Sequence, residues 1–376
     1  LTAAFADASA RASGAVPVTG DIAGQTFTPG LYKSVSSLNI SAGDITLDAK
    51  GDSNAVFVFQ VASTLTTAAG RQIILIGGAK PFNVFWQVGT SATLGTNSVF
   101  QGSILAGQAI TVSTGGSVTG RLLAISGAVT LQSATVSSPP PGIFPGGIIN
   151  AASDTLIVAP GSIAAVFGNN LGSSLMSAGG YPLPLTLGGT SFLAGSTAAP
   201  LFMSSCGQAN IQIPWEATGA SLQLTATAAG VTSASAQTAV AAYAPGIFSL
   251  NMAGTGQGAV EVAPTAQLAA PLSPAGHPVQ RGEYVAIFCT GLGPVTNQPA
   301  TGVAASSSPL SFTTTLPVVS IGGALAQVTY SGLAPGFAGL YQVNAIVPAG
   351  ATSGSSVPLL LTIGGIASNT VTIAVQ

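Results

Sequence analysis

The sequence predicts an all-β fold with one short N-terminal helix, in which a β-solenoid is followed by two immunoglobulin-like β-sandwich domains. Three observations predict it. The segment 85–124 contains two copies of one short pattern, in which apolar and small polar side chains alternate. The segment 141–376 repeats itself at a much longer period. Only 4% of the 376 residues are charged, against about 25% in ordinary soluble domains.

The chain opens on a helix pattern. The segment 1–11, LTAAFADASAR, places Leu1, Phe5 and Ala8 on one face, which is the spacing of an amphipathic helix. Short alternating runs separated by turn residues follow, and such alternation is typical of half-buried strands. Because VFQV at 58–61 is echoed by FWQV at 85–88, the segment 57–136 predicts a series of solenoid turns.

The short repeat carries a set of threonines. If successive turns stack as parallel strands, equivalent residues lie roughly 4.8 Å apart. The repeat would then place Thr93 beside Thr111 and Thr96 beside Thr114 on a flat face. Members of this predicted surface-binding face are Thr93, Thr96, Thr111, Thr114 and Thr130, with Thr64, Thr66 and Thr67 on a preceding turn. The alternative is that threonine simply suits exposed β positions.

Several motifs within the segment 1–136 occur in a known order. After the helix come GQTFTPGLYKS (24–34), LDAKGDSNAVFVFQVASTLTT (47–67), NVFWQVGTSATLGTNSVFQGSILA (83–106) and TGRLLAISGAVTL (119–131). This succession resembles the ice-binding-protein-like domain of bacteria and fungi. The resemblance implies an irregular right-handed β-solenoid of triangular section, with a long helix along one side and a flat ice-binding face in those members that bind ice. The family normally has further strands before and into the helix, so we expect a preceding segment or a neighbouring chain to supply them.

A Pro-rich boundary, SSPPPG at 137–142, separates this part from a duplicated one. PGIF occurs at 141–144 and at 245–248, and Gln208-x-Asn210 is echoed by Gln342-x-Asn344. Short strands and frequent Gly and Pro turns predict two immunoglobulin-like sandwiches. GTGQGAV (254–260), SSSPL (306–310) and SGLAPGFAGLYQVN (331–344) resemble a C-terminal module of secreted acidobacterial proteins. The predicted domains are 1–137, 138–244 and 245–376.

Candidate catalytic and metal-binding residues are few. His277 is the one histidine, in a predicted loop with no acid closer in sequence than Glu283, which is unlike a catalytic triad. Asp44, Asp48 and Asp52 form the only acidic cluster; their spacing suits tight turns better than a calcium loop. The glycines at 254–258 lack the Lys-Ser/Thr of a phosphate-binding loop. We therefore predict no enzyme activity, no cofactor and no metal.

Two cysteines, Cys206 and Cys289, permit one disulfide in an extracellular chain. The alternative is two small buried thiols. Their spacing does not suit a zinc site, and the sequence leaves the first two interpretations open.

Charge and hydropathy limit the partners. The net charge is −2, so no long-range field recruits nucleic acid or an anionic membrane. No apolar run approaches the roughly 18 residues of a membrane helix. So neutral a surface favours association.

These features predict a non-catalytic, secreted or cell-surface protein with a structural or adhesive role. Self-association is expected, as a filament built by strand complementation at an exposed solenoid edge. The alternative is an ice-binding protein that uses the threonine face; another extended surface would suit the same face. A third class is a protein that binds or degrades polysaccharides. The scarcity of acidic residues disfavours hydrolysis, which uses a pair of carboxylates.

Overall fold

The computed structural model describes residues 1–137, 140–263 and 265–376. The chain forms two compact units, Leu1–Pro139 and Pro140–Gln376, each of which has its own internal contacts. Positions 138 and 139 of the predicted Pro-rich boundary lie outside the described residues. Within the described ranges no helix has both the length and the hydrophobicity needed to cross a membrane.

The first unit begins with the predicted helix, α1 (Thr2–Ala10), and continues as short strands with one 3-10 turn at Pro81–Asn83. Its strands are β1 (Val16–Pro17), β2 (Gly20–Asp21), β3 (Thr26–Phe27), β4 (Gly30–Ser34), β5 (Leu38–Ile40), β6 (Ile45–Asp48), β7 (Phe57–Val61), β8 (Leu65–Thr67), β9 (Ile73–Ile76), β10 (Val84–Val88), β11 (Ala92–Leu94), β12 (Val99–Gln101), β13 (Ser103–Ala106), β14 (Ile110–Val112), β15 (Ser117–Thr119), β16 (Leu122–Ala124), β17 (Val129–Leu131) and β18 (Thr135–Ser137).

These strands form a solenoid with three faces, and neighbouring strands on each face run parallel. The first face has the strand order β1-β4-β7-β10-β13-β16, and the second face has the order β17-β14-β11-β8-β5-β2. The third face consists of β3-β6-β9 and β12-β15-β18, which are joined by a parallel bridge from Gln72 to Val99. Each turn therefore passes once through every face.

The turns differ in length. Phe59 pairs with Trp86, and Trp86 pairs with Ile104, so the earlier of these two turns consumes more chain than the later one. The strands of the solenoid begin at β1, inside the predicted solenoid domain 1–137, whereas the repeat pattern itself was recognised only from position 57 onward.

The solenoid interior is filled by apolar side chains from all three faces. Phe59 stacks on Trp86, with ring centroids 4.0 Å apart and an interplanar angle of 8°, and Tyr32 stacks on the other side of Phe59 at 5.1 Å. The Nε1 of Trp86 donates to the Gln101 carbonyl oxygen at 3.1 Å. This aromatic stack joins three successive turns.

The helix is fastened to the first face by one buried side chain. The amide nitrogen Nε2 of Gln60, on β7, donates to the carbonyl oxygens of Ala8 and Arg11, each at 2.7 Å. It thereby satisfies carbonyls that the C-terminal end of α1 leaves without intrahelical partners.

The second unit is built from mostly antiparallel strands. Its first half contains β19 (Gly142–Asn150), β20 (Ile157–Val158), β21 (Ile163–Asn169), β22 (Met176–Ser177), β23 (Thr190–Ala194), β24 (Thr197–Ala199), β25 (Leu201–Ser204), β26 (Gln208–Gln212), β27 (Ser221–Ala228), β28 (Val231–Thr232) and β29 (Ala236–Val240). Its second half contains β30 (Gly246–Ile247), β31 (Val260–Ala263), β32 (Gln267–Ala269), β33 (Gly276–His277), β34 (Tyr284–Thr290), β35 (Val318–Ile321), β36 (Ala324–Leu333), β37 (Tyr341–Ile346), β38 (Gly354–Ile363), β39 (Ile366–Ala367) and β40 (Val371–Val375).

Two apolar cores lie in this unit. One is enclosed by the sheets β19-β21-β26-β25-β22 and β20-β29-β27-β23-β24, and includes Val166 and Phe192. The other includes Ile287 and Tyr341 and is wrapped by a long sheet of order β33-β32-β31-β34-β37-β36-β35-β38-β39. The predicted fold class, all-β with a solenoid followed by immunoglobulin-like sandwiches, is confirmed. The domain limits at 138–244 and 245–376 stay predictions, which the two cores support.

Candidate functional site

A single column of threonines runs along the second face of the solenoid. Thr66 of β8 pairs with Thr93 of β11, Thr93 pairs with Thr111 of β14, and Thr111 pairs with Thr130 of β17. Neighbours in such parallel pairs are about 4.8 Å apart. The column is continued at its other end by Asn39 and Asp21, on β5 and β2.

Strand alternation aims these hydroxyls outward. The residues on either side of Thr66, Thr93 and Thr111 are almost completely buried in the solenoid core, as Ala92 and Leu94 are around Thr93. In a strand, successive side chains point to opposite sides. The threonines therefore lie on the solvent side, where Thr93 and Thr130 are exposed and Thr66 and Thr111 half-buried.

Thr96 and Thr114 lie beside this column in exposed turns and not on a strand. The N–H of Asn97 donates to the Thr114 carbonyl oxygen at 3.0 Å, so the two turns stack. Asn97 and Gly115 both adopt left-handed backbone conformations here, with φ of 57° and 71°. A Cβ added to Gly115 would collide with the Asn97 side chain. The two turns are thus held level, and Thr96 and Thr114 border the second face at one corner.

Three further threonines of the preceding turn have separate positions. Thr66 belongs to the column, and Thr64 flanks it, donating through Oγ1 to the Ser37 hydroxyl at 2.8 Å. Thr67 points inward and accepts a hydrogen bond from the Gly95 N–H at 2.9 Å, so it is no part of the outer surface. Asn39 and Asp21 were missed by sequence reasoning; the likeness of LNI (38–40) to LTT (65–67) is the signal that could have found Asn39.

The only charge in the threonine column is at its end. The Asp21 carboxylate accepts hydrogen bonds from the Ser41 hydroxyl and from the N–H groups of Ser41, Ala23 and Ala42. The Ser41 hydroxyl above all, with these amides, lowers the pKa of Asp21, because hydrogen bonds to a carboxylate favour its charged form. The remaining positions, Asn39 and the four threonines, carry no charge.

The last turn of the solenoid is more exposed than the others. Val129 and Leu131 continue the inward-facing columns of Ile110 and Val112, yet they are 42% and 46% exposed. The strands β16, β17 and β18 each end the strand order of their sheet. Their outer edges have no strand partner among the residues that the structure describes.

The acidic cluster and the histidine that were candidates for metal binding and catalysis do not form a common site. Asp44 accepts from the Gln72 N–H at 2.9 Å, while Asp48 and Asp52 accept from the N–H groups two positions after each of them, as turn residues do. His277 lies in the second unit with Nδ1 2.7 Å from the Pro278 carbonyl oxygen. Across the described ranges, no group of three His, Cys, Asp or Glu side chains could hold a metal ion.

The disulfide interpretation of Cys206 and Cys289 is wrong in this structure, which joins neither cysteine in a disulfide. Cys289 lies on β34, fully buried in an apolar core, and its Sγ is 3.8 Å from the Tyr341 carbonyl oxygen. Burial raises the pKa of this thiol. Cys206 is exposed in the turn between β25 and β26, so the alternative of two buried thiols holds for Cys289 alone.

Comparison with known proteins assigns the first unit. The ice-binding-like family model matches residues 1–137. An ice-binding protein of Nostoc sp. (strain HG1) is 50% identical over 119 residues, which are 31% of this chain and 44% of that protein. An ice-binding protein of Flavobacterium frigoris (strain PS1) is 47% identical over 120 residues, 32% of this chain and 42% of that protein. Residues 1–137 are thus an ice-binding-like domain, and the chain spans less than half the length of these curated relatives.

Solved structures are similar in part. A crystal structure of an ice binding protein from an Antarctic biological consortium has 52% identity, covers 37% of this chain and 63% of that one, and superposes with a TM-score of 0.36. The I9–I11 tandem of titin has 10% identity, covers 64% of this chain and 68% of that one, and superposes with a TM-score of 0.18. The likeness of the segment 141–376 to an acidobacterial module stays a prediction.

Proposed function

We propose that this is a non-catalytic, secreted or cell-surface protein whose second solenoid face binds ice. The observation that carries the proposal is the register of Thr66, Thr93, Thr111 and Thr130 on four neighbouring parallel strands. The similarity of residues 1–137 to proteins named for ice binding supports it.

The face has the chemistry that such a surface needs. Each threonine presents a hydroxyl, which both donates to and accepts from water, and a methyl group, which fills the space between hydroxyls. A β-branched side chain has few χ1 rotamers, so a threonine loses little side-chain conformational entropy when it is held against ordered water. Charged groups would hold their own hydration shells, and the four threonines and Asn39 of the column are uncharged.

The test is thermal hysteresis and ice recrystallisation by the full chain. The double variant Thr93→Tyr/Thr111→Tyr should lose most of the effect, because two large rings break the flat column. Thr119→Tyr is the matched control: Thr119 is half-buried on β15 of the third face, and its variant should keep the effect. If both variants keep full activity, ice binds elsewhere or not through threonines.

The corner threonines need a separate variant. Thr96 and Thr114 lie in turns beside the face, so Thr96→Tyr/Thr114→Tyr tests how far the ice contact extends. We expect a smaller loss than for Thr93→Tyr/Thr111→Tyr. An equal or larger loss would move the centre of the site to this corner.

A second proposal, self-association by strand addition, is supported by the last turn of the solenoid. Val129 and Leu131 are exposed there, and an outer strand edge is a template for another chain. Light scattering and electron microscopy of the full chain should show oligomers that Val129→Lys/Leu131→Lys reduces. A monomer at high concentration would contradict this second proposal and leave the first untouched.

A further inference from the structure

One outer sheet surface in the second unit brings together residues that are far apart in the sequence. On β34, Tyr284, Ala286 and Phe288 face away from the core, alternating with the buried Val285, Ile287 and Cys289. Ala286 pairs with Glu261 of β31 on one side and with Asn344 of β37 on the other. Asn344 in turn pairs with Tyr330 of β36, and Gln342 pairs with Phe288. We call these residues the β34 platform: Glu261, Tyr284, Ala286, Phe288, Tyr330, Gln342 and Asn344.

The platform is lowest at Ala286. Directly paired residues in an antiparallel sheet have Cβ atoms about 5 Å apart, and alternate residues of one strand are about 6.7 Å apart. Ala286 is the smallest side chain of the set and lies at its centre. Tyr284 and Phe288 rise along the strand on either side of it, while Glu261 and Asn344 rise across it.

Its amide groups are arranged to meet a polar ligand. Gln342 Nε2 donates to Asn344 Oδ1 at 2.7 Å, which fixes both side chains. This orientation leaves Gln342 Oε1 as an acceptor and Asn344 Nδ2 as a donor. Both residues are half-buried, so they can reach a ligand without first being freed from a core.

Aromatic rings supply the apolar contact. The ring of Tyr330 packs edge-on against that of Phe312, with centroids 5.5 Å apart, and its hydroxyl donates to the Leu333 carbonyl oxygen at 2.8 Å. Tyr284, at the start of β34 on the same outer surface, is 47% exposed. A tyrosine combines an apolar ring face with a polar tip, which suits a ligand that has C–H faces and hydroxyl groups.

The charge on the platform restricts the ligand further. Glu261 is its only charged group, and none of the three ion pairs within the described ranges involves it. The cation nearest to β34 in sequence, Arg281, donates its Nε to the Ala351 carbonyl oxygen at 2.9 Å. With a carboxylate and no cation among the platform residues, an anionic polymer would be repelled, whereas hydroxyl groups would find acceptors.

The first half of the second unit provides an internal comparison. Its matching strands place Phe167, Gln208 and Asn210 as the counterparts of Phe288, Gln342 and Asn344, and Gln208 Nε2 again donates to Asn210 Oδ1, at 2.9 Å. There, however, the register puts Ile149, Met203 and Ile163 where the platform has Glu261, Tyr330 and Tyr284. The duplication keeps the amide pair in both halves, but only the second half has the tyrosines and the carboxylate.

We propose that the β34 platform binds a neutral polysaccharide chain. Sugar rings stack on Tyr284 and Phe288, and their hydroxyl groups bond to Glu261, Asn344 and Gln342. The ligand is retained and not cleaved, because the platform holds a single carboxylate and glycoside hydrolysis uses two. This role is independent of the solenoid face.

The experiment is calorimetric titration of the full chain with cellohexaose, xylohexaose and mannohexaose, and affinity electrophoresis in the matching polysaccharides. At least one neutral sugar should bind, and Tyr284→Ala should weaken that binding by about tenfold or more, the loss that about 1.4 kcal/mol represents. Glu261→Gln and Asn344→Ala should weaken it as well. Tyr284 is 47% exposed and lies on the outer side of β34, so its removal should leave the fold intact, which circular dichroism checks.

Met203→Ala and Gln208→Ala are the matched controls, since they change the counterpart surface of the first half. Both should leave the affinity within about twofold of the parent chain. The proposal is overturned if none of the neutral sugars binds, or if Tyr284→Ala binds them as well as the parent chain does.

Discussion

Thr93 lies directly opposite Thr111 on neighbouring parallel strands, with both side chains on the solvent side of the second face. The core keeps the pair level, since the next residues, Leu94 and Val112, are also paired and are buried. A shift by one position would turn the threonines inward and the apolar side chains outward. The buried residues of the core therefore determine the register that places the threonines on the outer surface.

Single substitutions at Thr111 should separate the contributions of the hydroxyl and the methyl group. We expect Thr111→Ser to reduce thermal hysteresis more than Thr111→Val. Valine keeps the β-branch and the restricted χ1, whereas serine loses both along with apolar surface. Hysteresis measured at equal protein concentration checks this order. The reverse order would show that the hydroxyl is the main contact.

The aromatic stack should dominate the stability of the first unit. Trp86 is fully buried against Phe59, so Trp86→Ala should cost about 3–5 kcal/mol through the cavity that it leaves. Trp86→Phe keeps the stack and loses the hydrogen bond to Gln101, so it should cost less. Calorimetry of the full chain should show the solenoid transition shifted. An equal loss for both variants would mean that the hydrogen bond matters more than the stack.

Asp21 should make the first unit sensitive to acid. Its pKa is lowered in the folded state, so between the folded and unfolded pKa values the unfolded chain binds more protons. Its stabilising effect is therefore complete above the ordinary carboxyl pKa of about 3.9 and is lost as the pH falls through the folded value. Asp21→Asn should flatten the fall in the free energy of unfolding below about pH 4. Urea denaturation in that range checks it, and an unchanged slope would assign the effect to other carboxylates.

The two thiols should react in sequence. Iodoacetamide should modify Cys206 in the native chain, because it is exposed, and reach Cys289 only after unfolding, because that thiol is buried and its pKa is raised. Mass spectrometry of native and denatured samples counts the adducts. A mass lighter by the hydrogens of one disulfide, with no adduct in either sample, would contradict the structure.

Local sequence patterns predicted much of the solenoid structure. The pairing of Thr93 with Thr111 followed from the short repeat, because equal turns must stack in register. The helix was also predicted, but it begins at Thr2, and of the predicted apolar face only Ala8 is buried while Leu1 is 47% exposed. Asn39 could not be placed in the same way, since the turn that joins it to Thr66 is longer than the repeat and the sequence does not state how much chain each corner consumes.

By itself, then, the sequence determined the all-β class, the low charge of the chain and the threonines of the later turns, all of which depend on composition and short-range periodicity. Only the tertiary structure decided which of Thr64, Thr66 and Thr67 face solvent. It also decided that Cys289 is buried while Cys206 is exposed, and that Glu261, Ala286 and Asn344 lie side by side on three strands. The physical reason is strand pairing between distant segments. Alternation fixes which side chains share a side of a strand, but the register between strands is set by the packing of the whole core.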